Sequence, residues 1–199
     1  MLDLLDYRRT TFDLYRQIRS LGTDSNAAYR LWVDTRNHLF GQHSQSALLP
    51  ETKAKFSGLS YWDYDPTYRV IAELETDVEP VEYQISAGDD GVVTIRQIGQ
   101  VQFELPIGKG RLGVFWIDSY GGGIFIPFKD ATNNKETYGG GRYLYDTIKG
   151  ADLGSDGTSL VLDFNYSYHP SCFYNPRWVC PLAPQQNRLD IAIPVGEKV

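Results

Sequence analysis

A chain of 199 residues, 42% hydrophobic and 22% charged, is long enough for one domain that buries its own core without disulfide or metal staples. Its net charge of −6 and pI near 5 argue against nucleic acid, whose binders present a basic face, and against an anionic membrane surface. With 14 Tyr, 9 Phe and 4 Trp, the chain is rich in residues that favour strands and line pockets.

The first segment, 2 to about 20, carries Leu4, Leu5, Phe12, Tyr15, Ile18 and Leu21 at helical spacing. Its charges run throughout, so it does not read as a secretory signal, and no apolar stretch approaches the roughly 18 residues of a spanning helix. A cytoplasmic location is the default expectation, which keeps Cys172 and Cys180 as ordinary thiols, and a disulfide across the short loop between them is the alternative. Gly22 ends the helix, and Thr23-Asp24-Ser25 can cap a second one. That helix shows a stripe of Ala28, Leu31, Trp32, Thr35, Leu39 and Phe40 before Gly41 closes it. The pair reads as a helical hairpin with its stripes buried against a neighbouring domain. A connector follows, in which Pro50 and Glu51 can start a single helical turn.

After Gly58 the texture changes to short apolar and aromatic runs separated by turn residues. Strands are predicted at 68–75, 81–86, 92–97, 101–105, 111–118, 123–128, 142–146, 159–164 and 189–194. Asp89-Asp90-Gly91 and Asp156-Gly157 mark tight turns, and Gly121-Gly122-Gly123 reads as a plain hairpin turn. Many short strands without intervening helices indicate a mainly β (α+β) chain. The expected architecture is an antiparallel β-barrel-like or sandwich domain over 58–199. The N-terminal helical segment, 1–57, packs on it. A barrel-like sheet ranks first, because closure removes exposed edges.

Two stretches carry the candidate chemistry. FKDATNNKETYGGGRYLY (128–145) sets three glycines beside Tyr138, Arg142 and Tyr143, which permits close backbone approach and positive φ. A ligand-lining turn would draw on Asp130, Glu136, Tyr138, Arg142, Tyr143 and, from a later strand end, Asn165. A bulge with a solvated polar tip is the alternative, and an Arg142 salt bridge to Asp130, Glu136 or Asp163 is the structural version of the same residues. A phosphate loop is excluded, since no GK[ST] ending or helix follows. The second stretch, 165–187, holds four prolines and both cysteines and reads as a long ordered loop. His169, Cys172 and Cys180 are weak metal candidates, matching no established ligand spacing. A Cys-His nucleophilic pair could use the same side chains. Candidate proton-transfer groups are His43, Glu136 and Asp163. Asp163 stands in an apolar strand, where burial would shift its pKa.

These two stretches, with Trp32, Arg36, Leu39-Phe40, His43, Ser46 and FSGLSYWDYDPTYRV upstream, resemble the DUF1684 family of bacterial and archaeal proteins from about residue 28 to the C-terminus. The resemblance marks Arg36, His43, Ser46, Asp130, Lys135 to Tyr143, Asp163, Asn165, Cys172, Cys180, Pro181 and Asn187 as motif positions, and it brings no established reaction. His169 departs from the family pattern, where asparagine is usual, which counts against a metal or catalytic role. The cysteine pair belongs to that pattern, which favours a structural or ligating role. Three functions follow as expectations. The first is a small-molecule-binding barrel. The second is an enzyme, such as a hydrolase, acting on a small polar substrate. The third is an interaction module that docks to a partner, or to a second copy, through its N-terminal helices.

Overall fold

The structure is a computed structural model that describes residues 1–22, 24–86, 91–118 and 120–199. Two helices lead the chain, α1 (Leu2–Leu21) and α2 (Ser25–Gly41). Asp24 caps α2 by accepting the Ala27 N–H at 3.1 Å, which satisfies one orphan donor of the first turn. Thr23, and the Asp89-Asp90 part of the predicted turn, lie outside the described residues. A single turn, α3 (Pro50–Lys53), starts on its proline as expected.

Among the described residues ten strands follow: β1 (Ser60–Tyr61), β2 (Arg69–Glu75), β3 (Glu82–Ser86), β4 (Val92–Leu105), β5 (Gly108–Asp118), β6 (Gly123–Phe128), β7 (Arg142–Asp146), β8 (Ser155–Asp156), β9 (Ser159–Asp163) and β10 (Glu197–Lys198). The main sheet is antiparallel in the order β7-β6-β5-β4-β2-β9-β8 and curls into a half-barrel. β4 is its spine. Its first half carries β3 and its second half meets the end of β2, while β5 runs along its other edge.

The predicted strands 92–97 and 101–105 are therefore one strand. A bulge between Gln97 and Gly99 breaks the alternation between them. A side chain at 99 would meet the Glu75 carbonyl at 2.7 Å, so glycine is required where β2 crosses. The predicted strand 189–194 does not form. Ile193 gives its N–H to the Asp130 carboxylate, and its carbonyl accepts from Arg142. Leu189 and Ile191 bond to the backbone of Lys129 and Ala131, and only at Ile193 do side chains take the place of a neighbouring strand.

Both helices contribute to the core of the half-barrel. Leu14, Tyr15, Ile18, Ala28 and Trp32 share one apolar cluster with Leu112, Val114, Ile126, Phe128, Leu144, Leu162 and Phe164. Each fully buried side chain of this size contributes about 1.5–3 kcal/mol. The Trp32 indole N–H reaches the Tyr15 hydroxyl at 3.2 Å, so the polar edge of a buried indole is satisfied. Of the six residues in the predicted stripe of α1, two are buried. Tyr15 and Ile18 are buried, but Leu4, Leu5, Phe12 and Leu21 remain exposed. The half-barrel and α2 meet α1 from Tyr7 onward, and its first turn overhangs them. No helix among the described residues is long and apolar enough to cross a membrane.

Candidate functional site

The run from Phe128 to Tyr143 folds into a hydrogen-bonded clamp. Asp130 accepts from the Thr132 N–H and hydroxyl, the Ile193 N–H and Arg142 Nη2, the last at 2.8 Å. Arg142 donates further to the carbonyls of Ile193, Val195 and Glu197, and both charged side chains are fully buried. Burial pulls the Arg142 pKa down, and Asp130 opposes it. Gly141 has φ +96°, and a Cβ there would lie 2.4 Å from the Phe128 carbonyl. The glycine thus lets the turn close on β6. Asn165 is likewise spent, holding both backbone groups of Asp65. Glu136 is exposed and Tyr138 half-buried.

The structure gathers a different set of side chains beneath the helices. Short β10 pairs with β1, Tyr61 opposite Glu197, and sets Glu197 in the interior at 1% exposure. Glu197 accepts from Arg36 Nη2 at 2.7 Å, from the His169 N–H at 2.9 Å and from the Tyr174 hydroxyl. Burial alone would raise its pKa, but Arg36 and His169 overcome that and hold it below the ordinary value. Arg36 is fixed by aromatic faces as well, its Cζ lying 5.0 Å from the Trp32 ring centroid and 4.9 Å from that of Tyr168.

Beside Arg36 lies a cavity of about 80 Å³. Tyr7, Thr11 and Tyr15 of α1 roof it. Trp32 and Arg36 of α2 form one wall, Tyr143 and Asp146 of β7 another, and Tyr168 to Ser171 close it. Arg36 Nε donates to the Tyr61 hydroxyl at 3.3 Å and Nη2 to Glu197. Among the described residues, no partner takes the Nη1 donors. Burial pushes the Tyr15 pKa up to about 12, so its hydroxyl stays protonated at neutral pH.

A second cavity, about 220 Å³, lies further along α1 between Ile18, Arg19, Ser25, Tyr64, Arg69 and Asp163. Asp163 is buried, and desolvation raises its pKa to about 6 against hydrogen bonds from Asn165 and Tyr64. The expectation of a shifted carboxyl in an apolar strand thus meets a carboxyl at a cavity wall.

Of the residues singled out in the sequence, Tyr143, His169 and Arg36 line the first cavity and Asp163 the second. Asp130, Glu136, Tyr138, Arg142 and Asn165 line neither. His43 stands outside the first cavity, its Nε2 3.4 Å from Asp6 and its ring against Tyr7. His169 is buried and accepts the Tyr138 N–H on Nε2 at 3.2 Å, which leaves the ring proton on Nδ1. His169, Cys172 and Cys180 do not assemble as metal ligands, and among the described residues no group of three His, Cys, Asp or Glu is arranged to hold a metal ion. Sequence reasoning missed Glu197. Its partner Arg36 lies 161 positions away, and no local pattern links them.

A family model described as a protein of unknown function, DUF1684, matches residues 54–198. The solution structure of an uncharacterised protein from gene locus rrnAC0354 of Haloarcula marismortui is similar, with 32% identity and a TM-score of 0.64 over 88% of this chain and 95% of that one. No curated protein matches. The matched family range includes Tyr143, His169 and Glu197, whereas Arg36 and α1 precede it.

Proposed function

The chain belongs to the DUF1684 family of unknown function, and we propose that it binds a small acceptor-bearing molecule, such as a short carboxylate or carbonyl compound, in the Arg36 cavity. The single observation that carries this is a guanidinium held by Glu197 and three aromatic faces with its Nη1 donors unspent. A donor set fixed before binding loses little entropy on capture. A volume of about 80 Å³ holds roughly five water positions, which sets the ligand at a handful of heavy atoms. The aromatic walls suit an apolar end, and the hydroxyl of Tyr15 is a further polar group. The half-barrel fold is compatible with binding. The Phe128–Tyr143 run contributes Tyr143 to the wall, while its clamp anchors the 187–197 segment that ends in Glu197. A cytoplasmic setting belongs to this reading.

The test is calorimetric titration of the full chain with acetate, propionate, pyruvate and acetamide, alongside Ala151→Leu. Ala151 is buried and lines the cavity, so leucine fills the space at a stability cost of about 1–3 kcal/mol. Saturable heat in the wild type that disappears in a folded Ala151→Leu supports the proposal. Heat that survives the substitution, or none in the wild type, rejects it.

A catalytic reading has one observation in its favour, the raised Asp163 carboxyl at the second cavity, suited to proton transfer near neutral pH. His43 and Glu136, the other candidate bases, line neither cavity. Turnover of a p-nitrophenyl ester panel that is lost in Asp163→Asn would support it, and no turnover by the wild type would end it.

A further inference from the structure

The loop that supplies Pro170 and Ser171 to the cavity wall also brings Cys172 and Cys180 together. Cys180 Sγ accepts the Cys172 backbone N–H at 3.3 Å, which sets the two side chains side by side. Neither is in a disulfide, and both are half-buried. The approach is held from outside the loop. Tyr174 is tied to Glu197, and the Tyr143 hydroxyl donates to the Pro181 carbonyl at 2.5 Å. The pair is also asymmetric. The Cys172 N–H that Cys180 Sγ accepts, with the charge of Lys149, favours the Cys180 thiolate and draws its pKa down against burial. The neighbouring Cys180 and burial push the Cys172 thiol far up. Two tyrosines flank the pair, Tyr138 beside Cys172 and Tyr143 beside Cys180.

We propose that Cys172 and Cys180 are a peroxide-sensitive dithiol, with Cys180 as the attacking thiolate and Cys172 as the resolving thiol. In the first step Cys180 sulfur attacks one oxygen of hydrogen peroxide. The O–O bond breaks, sulfur is oxidised to sulfenic acid, and the departing hydroxide takes a proton from solvent to become water. In the second, Cys172 sulfur attacks Cys180 sulfur. The S–O bond breaks as the S–S bond forms, and hydroxide leaves with the Cys172 proton as a second water. The net change is two thiols and one peroxide to one disulfide and two waters. A thiol whose pKa lies near ambient pH is the effective attacker in such chemistry. Closing the bond requires the sulfurs to reach about 2.05 Å, which draws in the loop beside Ser171. The dithiol stands whether or not the cavity binds a ligand.

The experiment uses the full chain, reduced, treated with one equivalent of hydrogen peroxide, alkylated with iodoacetamide and weighed intact. The expected product is a monomer lacking two hydrogens that takes up no alkyl group and regains both sites with dithiothreitol. In Cys172→Ser, Cys180 stops at the sulfenic acid and is trapped by dimedone. In Cys180→Ser, oxidation of Cys172 slows about tenfold or more. Two alkylated thiols after peroxide, a disulfide between chains, or a sulfinic acid at Cys180 with Cys172 free would each overturn the proposal. So would a Cys180→Ser variant that reacts as fast as the wild type.

Discussion

Asp163→Asn should make the protein more stable, and only at neutral to alkaline pH. The carboxyl accepts the Asn165 N–H at 3.1 Å and side-chain amide at 2.8 Å on one oxygen and the Tyr64 hydroxyl at 3.2 Å on the other. Burial outweighs these bonds and raises its pKa from 3.8 to about 6. The folded protein therefore holds this proton more tightly than the unfolded chain, so stability falls as pH rises between about 4 and 6. The cost is absent below that window and complete above it. At about 1.4 kcal/mol per pH unit, ionised Asp163 costs on the order of 3 kcal/mol. Asparagine keeps the carbonyl contacts to Asn165 and can donate to the Tyr64 oxygen. It gives up Arg69, which is 41% exposed at 3.9 Å, a partner worth under about 1 kcal/mol. The net expectation is a gain of about 2 kcal/mol at pH 8 and none at pH 4, read from urea unfolding midpoints at unchanged slope. A variant no more stable than wild type at pH 8, or equally stabilised at both pH values, would refute the reasoning.

Arg142→Met leaves Asp130 buried and uncompensated and should cost about 3–5 kcal/mol in urea unfolding; a loss under about 1 kcal/mol would contradict the clamp. Gly141→Ala sets a Cβ against the Phe128 carbonyl at φ +96° and should cost about 2 kcal/mol or more. Gly121→Ala, with open space around its Cβ, should leave the melting temperature nearly unchanged, and equal losses at the two sites would show that the Gly141 contact is not what matters. If the overhanging face of α1 joins two copies, light scattering of the wild type should give a dimer that Leu4→Glu with Leu5→Glu reduces to monomer. A wild type that is monomeric at every concentration removes that role for the helix.

The sequence made the elements legible because they follow local rules. Gly22 closes α1, Pro50 opens a turn, and Asp156-Gly157 joins β8 to β9 with Gly157 at φ +59°, whereas Gly41 stays helical and Gln42 caps α2. It was less informative where long-range partners decide. The 189–194 segment alternates like a strand, yet at Ile193 Arg142 and Asp130 take the bonds a strand would take. Leu4 and Tyr15 fall on one helical stripe, but only the sheet's extent determines which of them is covered. The candidate site shows the same division. Glycines and charges around 138–142 stood out in composition because the clamp needs them. The cavity instead depends on Arg36, Tyr143, Tyr168 and Glu197, which fold from separate regions of the chain and share no spacing.

One face of α1 serves both cavities, with Tyr7, Thr11 and Tyr15 over the first and Ile18 and Arg19 over the second. Ligands that bind the two cavities only while that shared helix is seated would be thermodynamically linked. A molecule that binds either cavity only while α1 is seated shifts the docking equilibrium and strengthens capture at the other, by the same factor in both directions. The helix also holds its own backbone hydrogen bonds, so it can lift without unpairing a β-strand. Its amides should then exchange with solvent as one unit, ahead of the β4–β5 ladder. Occupancy of one cavity would be read as slower exchange along the whole helix, including the turn above the empty one.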